Sequence, residues 1–174
     1  MVLILIAPIV SATVLWKMSV DDLARAAESV VRGEVTDVRT DKDQQSGRIY
    51  TYNAIQVREW IKGKTPETIV LRQIGGAYDG LEMRIPGTPR LAKGDDVVLF
   101  LKSDGQYHFL RGMGQGLFAV TAENGVETAV QKLEGAAVLA PDAAGKQAVQ
   151  EGQPLKLPLA ELKAKIRAAL DSSR

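Results

Sequence analysis

SVVRGEVTDVRT at residues 29–40 and IYTYNAIQVREWI at residues 49–61 flank the polar turn DKDQQSGR at 41–48. Both runs are rich in β-branched and aromatic residues, the composition of half-buried strands. In the second run Tyr50, Tyr52 and Ala54 fall on one side, and Ile55 and Val57 on the other. In the first, Val31, Val35 and Val38 keep no single alternation, so a bulge near Gly33 has to reset the phase. Together they predict a long twisted hairpin, and the rest of the chain is read outward from it.

Downstream, Lys62, Gly63, Lys64, Thr65 and Pro66 form a turn, and TIVLRQI at 68–74 is a third strand. Residues 75–94 form a Gly/Pro-rich excursion holding a short strand, LEMRI, at 81–85. DVVLFLK at 96–102 is apolar almost throughout, which predicts the most buried strand. Asp104 with Gly105 and Asn124 with Gly125 mark tight hairpin turns between further short strands. Gly112, Gly114 and Gly116 predict a bulged corner where a barrel strand bends. From 135 to 152 the composition shifts to Ala, Gly, Pro and Gln, read as a loop or a short helix at KQAVQ. Two helices are expected. One starts at Ser19, with Asp21 and Asp22 in its first turn, and ends near Glu28. The other starts at Pro158, with Leu159, Leu162, Ile166 and Leu170 as its apolar stripe. The order of elements predicts a mainly β protein: a small OB-like Greek-key antiparallel barrel over 13–135, then a loop and amphipathic helix over 136–174 packed on it.

The chain of 174 residues has 22 Lys+Arg against 21 Asp+Glu, so no global field draws it to nucleic acid or an anionic membrane. It has no cysteine, which excludes disulfides, thiolate metal sites and cysteine nucleophiles. Its one histidine, His108, lies within a strand, and no G-x-S-x-G elbow accompanies it. The adjacent pairs Asp21–Asp22 and Asp95–Asp96 do not converge as metal ligands, and Asp41 with Asp43 lacks the EF-hand order. Gly63, Lys64 and Thr65 lack the earlier glycine of a phosphate loop, because position 58 is Arg58. Tyr50, Tyr52, Trp60 and Tyr78 are the candidates for a small stacking platform, each with core packing as the competing reading. No catalytic residue, metal ligand or cofactor is expected.

VLILIAPIV at 2–10 is apolar and uncharged, and as a helix rises only about 14 Å, short of a hydrocarbon core of roughly 30 Å. It ends in Val10, Ser11 and Ala12, a signal-peptidase pattern, which predicts residues 1–12 as a leader and Thr13 as the mature start. No Lys or Arg precedes the run, so the leader reads as truncated or weak, with a buried strand as the alternative.

Four strings resemble, in order, blocks of exported bacterial proteins of unassigned function. ATVLWKMSVDDLARAAESVVRGEV at 12–35 matches a helix followed by a strand of the pattern A-D-x-V-V-x-G-x-V. REWIKGKTPETIVLRQIGG at 58–76 matches a V-x-x-x-L-K-G strand end and its following strand. GLEMRIPGTPRLAKGDDVVLFL at 80–101 matches a G-x-x-x-x-V-P-G-x-P block, and GQGLFAV at 114–120 the closing strand. More distantly, the layout is similar to the OB-fold domains of tissue inhibitors of metalloproteinases and netrin-type modules. The leader, the lack of catalytic residues and the rigid Gly/Pro-rich excursion together predict an exported, periplasmic or secreted, non-enzymatic binding module for a protein or a cell-envelope component. It takes no nucleic acid and is not integral to the membrane. The alternatives are an inhibitor or chaperone of a secreted metalloprotease acting through Thr13 and its neighbours, and a carboxylate-dependent enzyme. The Gly/Pro-built excursion is the expected binding region, with Tyr78, Arg84, Pro86, Gly87 and Arg90 as its candidate residues.

Overall fold

The computed structural model describes residues 14–142 and 144–172. The apolar amino-terminal run and Thr13 lie outside the described residues. The long hairpin is present as β2 (Ser29–Lys42) and β3 (Ile49–Lys62), paired antiparallel from Val30↔Lys62 to Lys42↔Ile49. Its register shifts at three places, one of them between Arg32 and Gly33. A Cβ on Gly33 would lie 2.6 Å from the Gln56 carbonyl oxygen and 2.7 Å from Ile55 Cγ2, so only glycine fits this bulge.

The hairpin extends into a closed barrel. β3 pairs antiparallel with β4 (Thr68–Ile74), and β2 pairs antiparallel with β7 (Asp96–Ser103). The gap between β4 and β7 is filled by β8 (His108–Leu110), antiparallel to β7 through three residue pairs and parallel to β4 through Leu71↔His108. Around the barrel the order is therefore β2, β3, β4, β8, β7. Beyond it the sheet continues from β7 through β9 (Leu117–Glu123) and β10 (Val126–Gln131) to β13 (Lys156–Pro158). Asn124 and Gly125, both at positive φ, make the two-residue turn between β9 and β10.

β7 explains its own unbroken hydrophobicity. Val97, Leu99 and Leu101 point into the barrel with Val31, Val35, Ile55, Ile69 and Leu71. Val98 and Phe100 point outward, where they meet Phe118, Ala129 and the two helices. All five are fully buried. At roughly 1.5–3 kcal/mol for each large side chain removed from water, this strand anchors both cores.

The helix α1 (Val20–Ala26) opens on a capping box between Ser19 and Asp22. Two cations hold its other end: Lys62 Nζ donates to the Ala24 carbonyl at 2.8 Å, and Arg111 Nε to that of Ala26 at 2.9 Å. The helix α2 (Leu159–Asp171) follows Pro158, which stands one residue before the helix as its N-cap and not at its first position. Leu159, Leu162 and Ile166 are buried as the stripe requires, but Ala169 is buried in place of Leu170. Lys163 pairs with Glu59 at 2.5 Å and so pins α2 to β3.

Two expectations are corrected. Residues 135–152 are neither loop nor helix: they contain the hairpin β11 (Ala137–Pro141) and β12 (Gln147–Glu151). β1 (Val14–Trp16) lies parallel to β11. Burial of Val138 and Ala140, and Asp142 accepting from the amides of Ala144 and Lys146, outweigh the weak strand propensity of this Ala/Gln-rich stretch. The corner at 112–116 is a 3₁₀ turn (Met113–Gly116) instead of a bulge. A Cβ on Gly114 would stand 2.1 Å from the Lys132 carbonyl oxygen, and one on Gly116 2.0 Å from that of Arg111. The buried Gln115 between them accepts from the Met18 amide at 2.8 Å and donates to the Trp16 carbonyl at 2.9 Å, joining β1 to the barrel.

These glycines separate two costs. Gly116→Ala is expected to destabilise the protein by about 3 kcal/mol or more, because backbone has to move. Gly47→Ala, at φ +67 with no neighbour within 4 Å, is expected to lose only about 1 kcal/mol of backbone strain. Urea unfolding of the two variants measures the difference, and equal losses would contradict this packing.

Candidate functional site at the barrel mouth

The 75–94 excursion folds over one end of the barrel. It opens with β5 (Gly76–Tyr78) and β6 (Leu81–Met83), a small antiparallel hairpin. Two threonines from the barrel strands tether its start. Thr51 Oγ1 donates to the Gly75 carbonyl at 2.7 Å, and Thr40 Oγ1 to the Ala77 carbonyl at 2.5 Å. Gly76 lies so close that a Cβ would meet Thr51 Oγ1 at 2.5 Å, and its φ of +133 suits glycine alone.

The far limb is rooted inside the barrel. Asn53 and Gln73 are buried polar side chains on β3 and β4. Asn53 Nδ2 donates to Gln73 Oε1 at 2.9 Å, and Gln73 Nε2 donates to the Pro89 carbonyl at 3.0 Å. A buried amide relay thus fixes the loop to the core. Gly87 is a second root, donating to the Glu134 carbonyl at 3.1 Å and accepting from the Gly114 amide at 2.8 Å.

Between barrel and loop lies a cleft of about 420 Å³. Val38, Ile74, Met83, Ile85, Pro86 and Leu91 supply apolar wall, while Thr40, Thr51 and Gln73 supply polar groups. Arg84, Pro86 and Arg90, three of the five residues predicted from sequence, line it. Gly87 is buried in the loop's root, and Tyr78, half-buried on β5, stands outside the lining. Thr13 lies outside the described residues.

Sequence reasoning missed Glu82. Its Oε1 accepts from Arg84 Nε at 3.0 Å and also from Arg90 Nη2, so one carboxylate gathers both arginines at the cleft. Arg90 first, and Arg84 second, hold this exposed carboxyl below the usual carboxylate range. The charge pattern Glu82, Arg84, Arg90 was visible in the sequence. What was hidden is that the chain folds so that Arg90 reaches back to Glu82.

The cleft lining carries the hydroxyls of Thr40, Thr51 and Thr88. Glu134 is the one carboxylate among its lining residues. Among the described residues no group of three or more His, Asp or Glu side chains stands close enough to hold a metal ion. His108 lies at the barrel seam, away from the cleft, and its Nδ1 is buried without a hydrogen-bond partner. Trp60 donates from Nε1 to the Thr65 carbonyl at 3.1 Å, and so braces the turn after β3. No helix among the described residues is long and apolar enough to cross a membrane. No protein-family profile matches the chain, and no curated protein matches it.

Burial lowers the pKa of His108 from 6.5, against the opposing pull of Asp104 and Glu28. Its imidazole is therefore harder to protonate folded than unfolded, so the unfolded chain takes the proton first as pH falls. Stability is expected to drop between about pH 7 and pH 5, where this single histidine titrates, and the drop should vanish in His108→Gln. Urea unfolding at the two pH values checks this; an undiminished drop in the variant would refute it.

Proposed function

We propose that the protein is an exported, non-enzymatic binding module that recognises a protein or a cell-envelope component through the mouth of an OB-like Greek-key barrel. The order β2, β3, β4, β8, β7, with its one parallel contact between β4 and β8, supports the OB-like reading. The observation that carries the functional reading is the cleft of about 420 Å³ roofed by a loop rooted in the core. Ligand sites favour concave, mostly apolar surfaces with a few placed polar groups. Here the polar groups are the guanidiniums of Arg84 and Arg90, already gathered by Glu82 and able to exchange it for an acidic group on a partner. Loops held by a stiff scaffold lose little entropy on binding.

Neither alternative gains from this geometry. Metalloprotease inhibition depends on Thr13, and carboxylate catalysis needs a second carboxylate where the cleft lining has Glu134 alone. The test is capture from the native envelope and secreted fractions by the immobilised protein. The wild type is expected to retain a discrete partner that the double variant Arg84→Glu/Arg90→Glu loses. Identical capture by both, with the variant folded, would overturn the assignment to the cleft.

A further inference from the structure

The outer wall of the barrel carries a second arrangement, separate from the cleft. The register places Arg39 on β2 opposite Tyr52 on β3, and Tyr52 opposite Arg72 on β4. Tyr107, from the turn before β8, extends the row. The Arg39 guanidinium carbon stands 5.1 Å from the centre of the Tyr52 ring. The Arg72 guanidinium carbon stands 3.8 Å from the Tyr50 ring centre, 5.9 Å from Tyr52 and 5.4 Å from Tyr107. Tyr52 and Tyr107 lie 5.4 Å apart, centre to centre. Cation and ring thus alternate across three strands and the turn before β8, perpendicular to the strands.

These two arginines differ from most others in the chain. Arg25, Arg32, Arg58, Arg84, Arg90 and Arg167 each pair with a carboxylate. Among the described residues no carboxylate pairs with Arg39 or Arg72 within 4 Å, and neither guanidinium donates a hydrogen bond. Arg72 Nε is buried without an acceptor, so ring stacking and not hydrogen bonding holds this guanidinium in place. Arg39 is exposed and Arg72 half-buried, and of the Arg72 guanidinium nitrogens only Nε is fully buried without a partner. Fixed, unpaired guanidinium forks are suited to an oxyanion.

The rim limits what kind of oxyanion fits. Asp41 lies opposite Tyr50, and the charges of Asp43 and Asp104 are felt at Arg72. In each of the three, Oδ1 accepts from one or two nearby backbone amides, in Asp43 from the Ser46 hydroxyl as well, and among the described residues no hydrogen bond reaches Oδ2. Three carboxylates around two guanidiniums repel a long polyanion. They do accept from hydroxyl groups. The faces that Tyr50 and Tyr52 turn to the guanidiniums are covered, which removes stacking surface for nucleic-acid bases. An oxyanion joined to many hydroxyl donors satisfies both halves of the wall.

We propose that Arg39 and Arg72, set on either side of Tyr52, form a binding site for an acidic sugar. The guanidiniums take its carboxylate or phosphate groups, and Asp41, Asp43 and Asp104 take its hydroxyls. This site stands whether or not the cleft binds a partner. Titration of the full chain with digalacturonate and with glucose 6-phosphate, followed by the ring resonances of Tyr50, Tyr52 and Tyr107, tests it. At least one acidic probe is expected to shift these rings saturably, and maltose is not. A response to one probe only identifies the source as uronic acid or sugar phosphate. Arg39→Gln and Arg72→Gln should each weaken binding about tenfold or more. Arg72→Lys should also weaken it, because an ammonium lacks the planar fork. Arg84→Glu, in the cleft, should leave it unchanged. Arg39→Gln keeps the test informative if changes at Arg72 unfold the protein. Absence of any saturable ring shift, an equal response to maltose, full affinity in Arg39→Gln, or tighter binding of oligo-deoxythymidylate would each overturn the proposal.

Discussion

The barrel closes at its narrowest element. β8 has three residues, yet it is the strand that joins β7 to β4 and turns a curved sheet into a cylinder. Without that seam, β4 would present an unpaired edge, β7 would lose its partner over Leu101–Ser103, and the interior around Leu71, Leu99 and Leu101 would open to water. The seam is set by local chemistry. Asp104 accepts from the amides of Gln106 and Tyr107, Gly105 takes φ +94, and the chain returns along β7 in fixed register. The mouth and the outer wall both inherit their shape from this closure. Gln73 reaches Pro89 because β4 is held in the cylinder, and Tyr107 meets Arg72 because β8 lies beside β4.

β7 bears the packing load that makes closure stable. Its side chains alternate between the barrel interior and the helix-covered face, so no water-facing residue interrupts Val97–Leu101. α1 and α2 cover the second face, and Phe100 meets Phe118 there with ring centres 5.9 Å apart. The helices thus do not extend the barrel. They complete the burial of the strand that shares edges with β2, β8 and β9.

Much of this was legible from residues, because it depends on local signals. The hairpin at 29–61, the bulge at Gly33, the turns at Gly105 and Gly125 and the buried strand at 96–102 all follow from periodicity and turn chemistry. The β11–β12 hairpin did not follow, because Ala and Gln carry little strand preference and the pairing with β1 spans most of the chain. Placing Arg84, Pro86 and Arg90 at a cleft needed only the Gly/Pro pattern of the excursion. Glu82 and the stacked Arg72 were invisible for a different reason. Each acquires its role from neighbours on other strands, and a single sequence does not state which strands are adjacent.

The two surfaces use arginine in opposite ways. At the mouth, Glu82 pairs with both Arg84 and Arg90 and keeps them close over an apolar cleft. On the wall, tyrosine rings hold Arg39 and Arg72 in place and leave their charge unpaired. Both depend on a closed cylinder. Backbone proton–proton NOEs at β8 test that closure most directly. The account predicts simultaneous contacts from His108 to Leu71 on β4 and from Phe109 to Lys102 on β7. A spectrum in which β8 contacts β7 alone would contradict it.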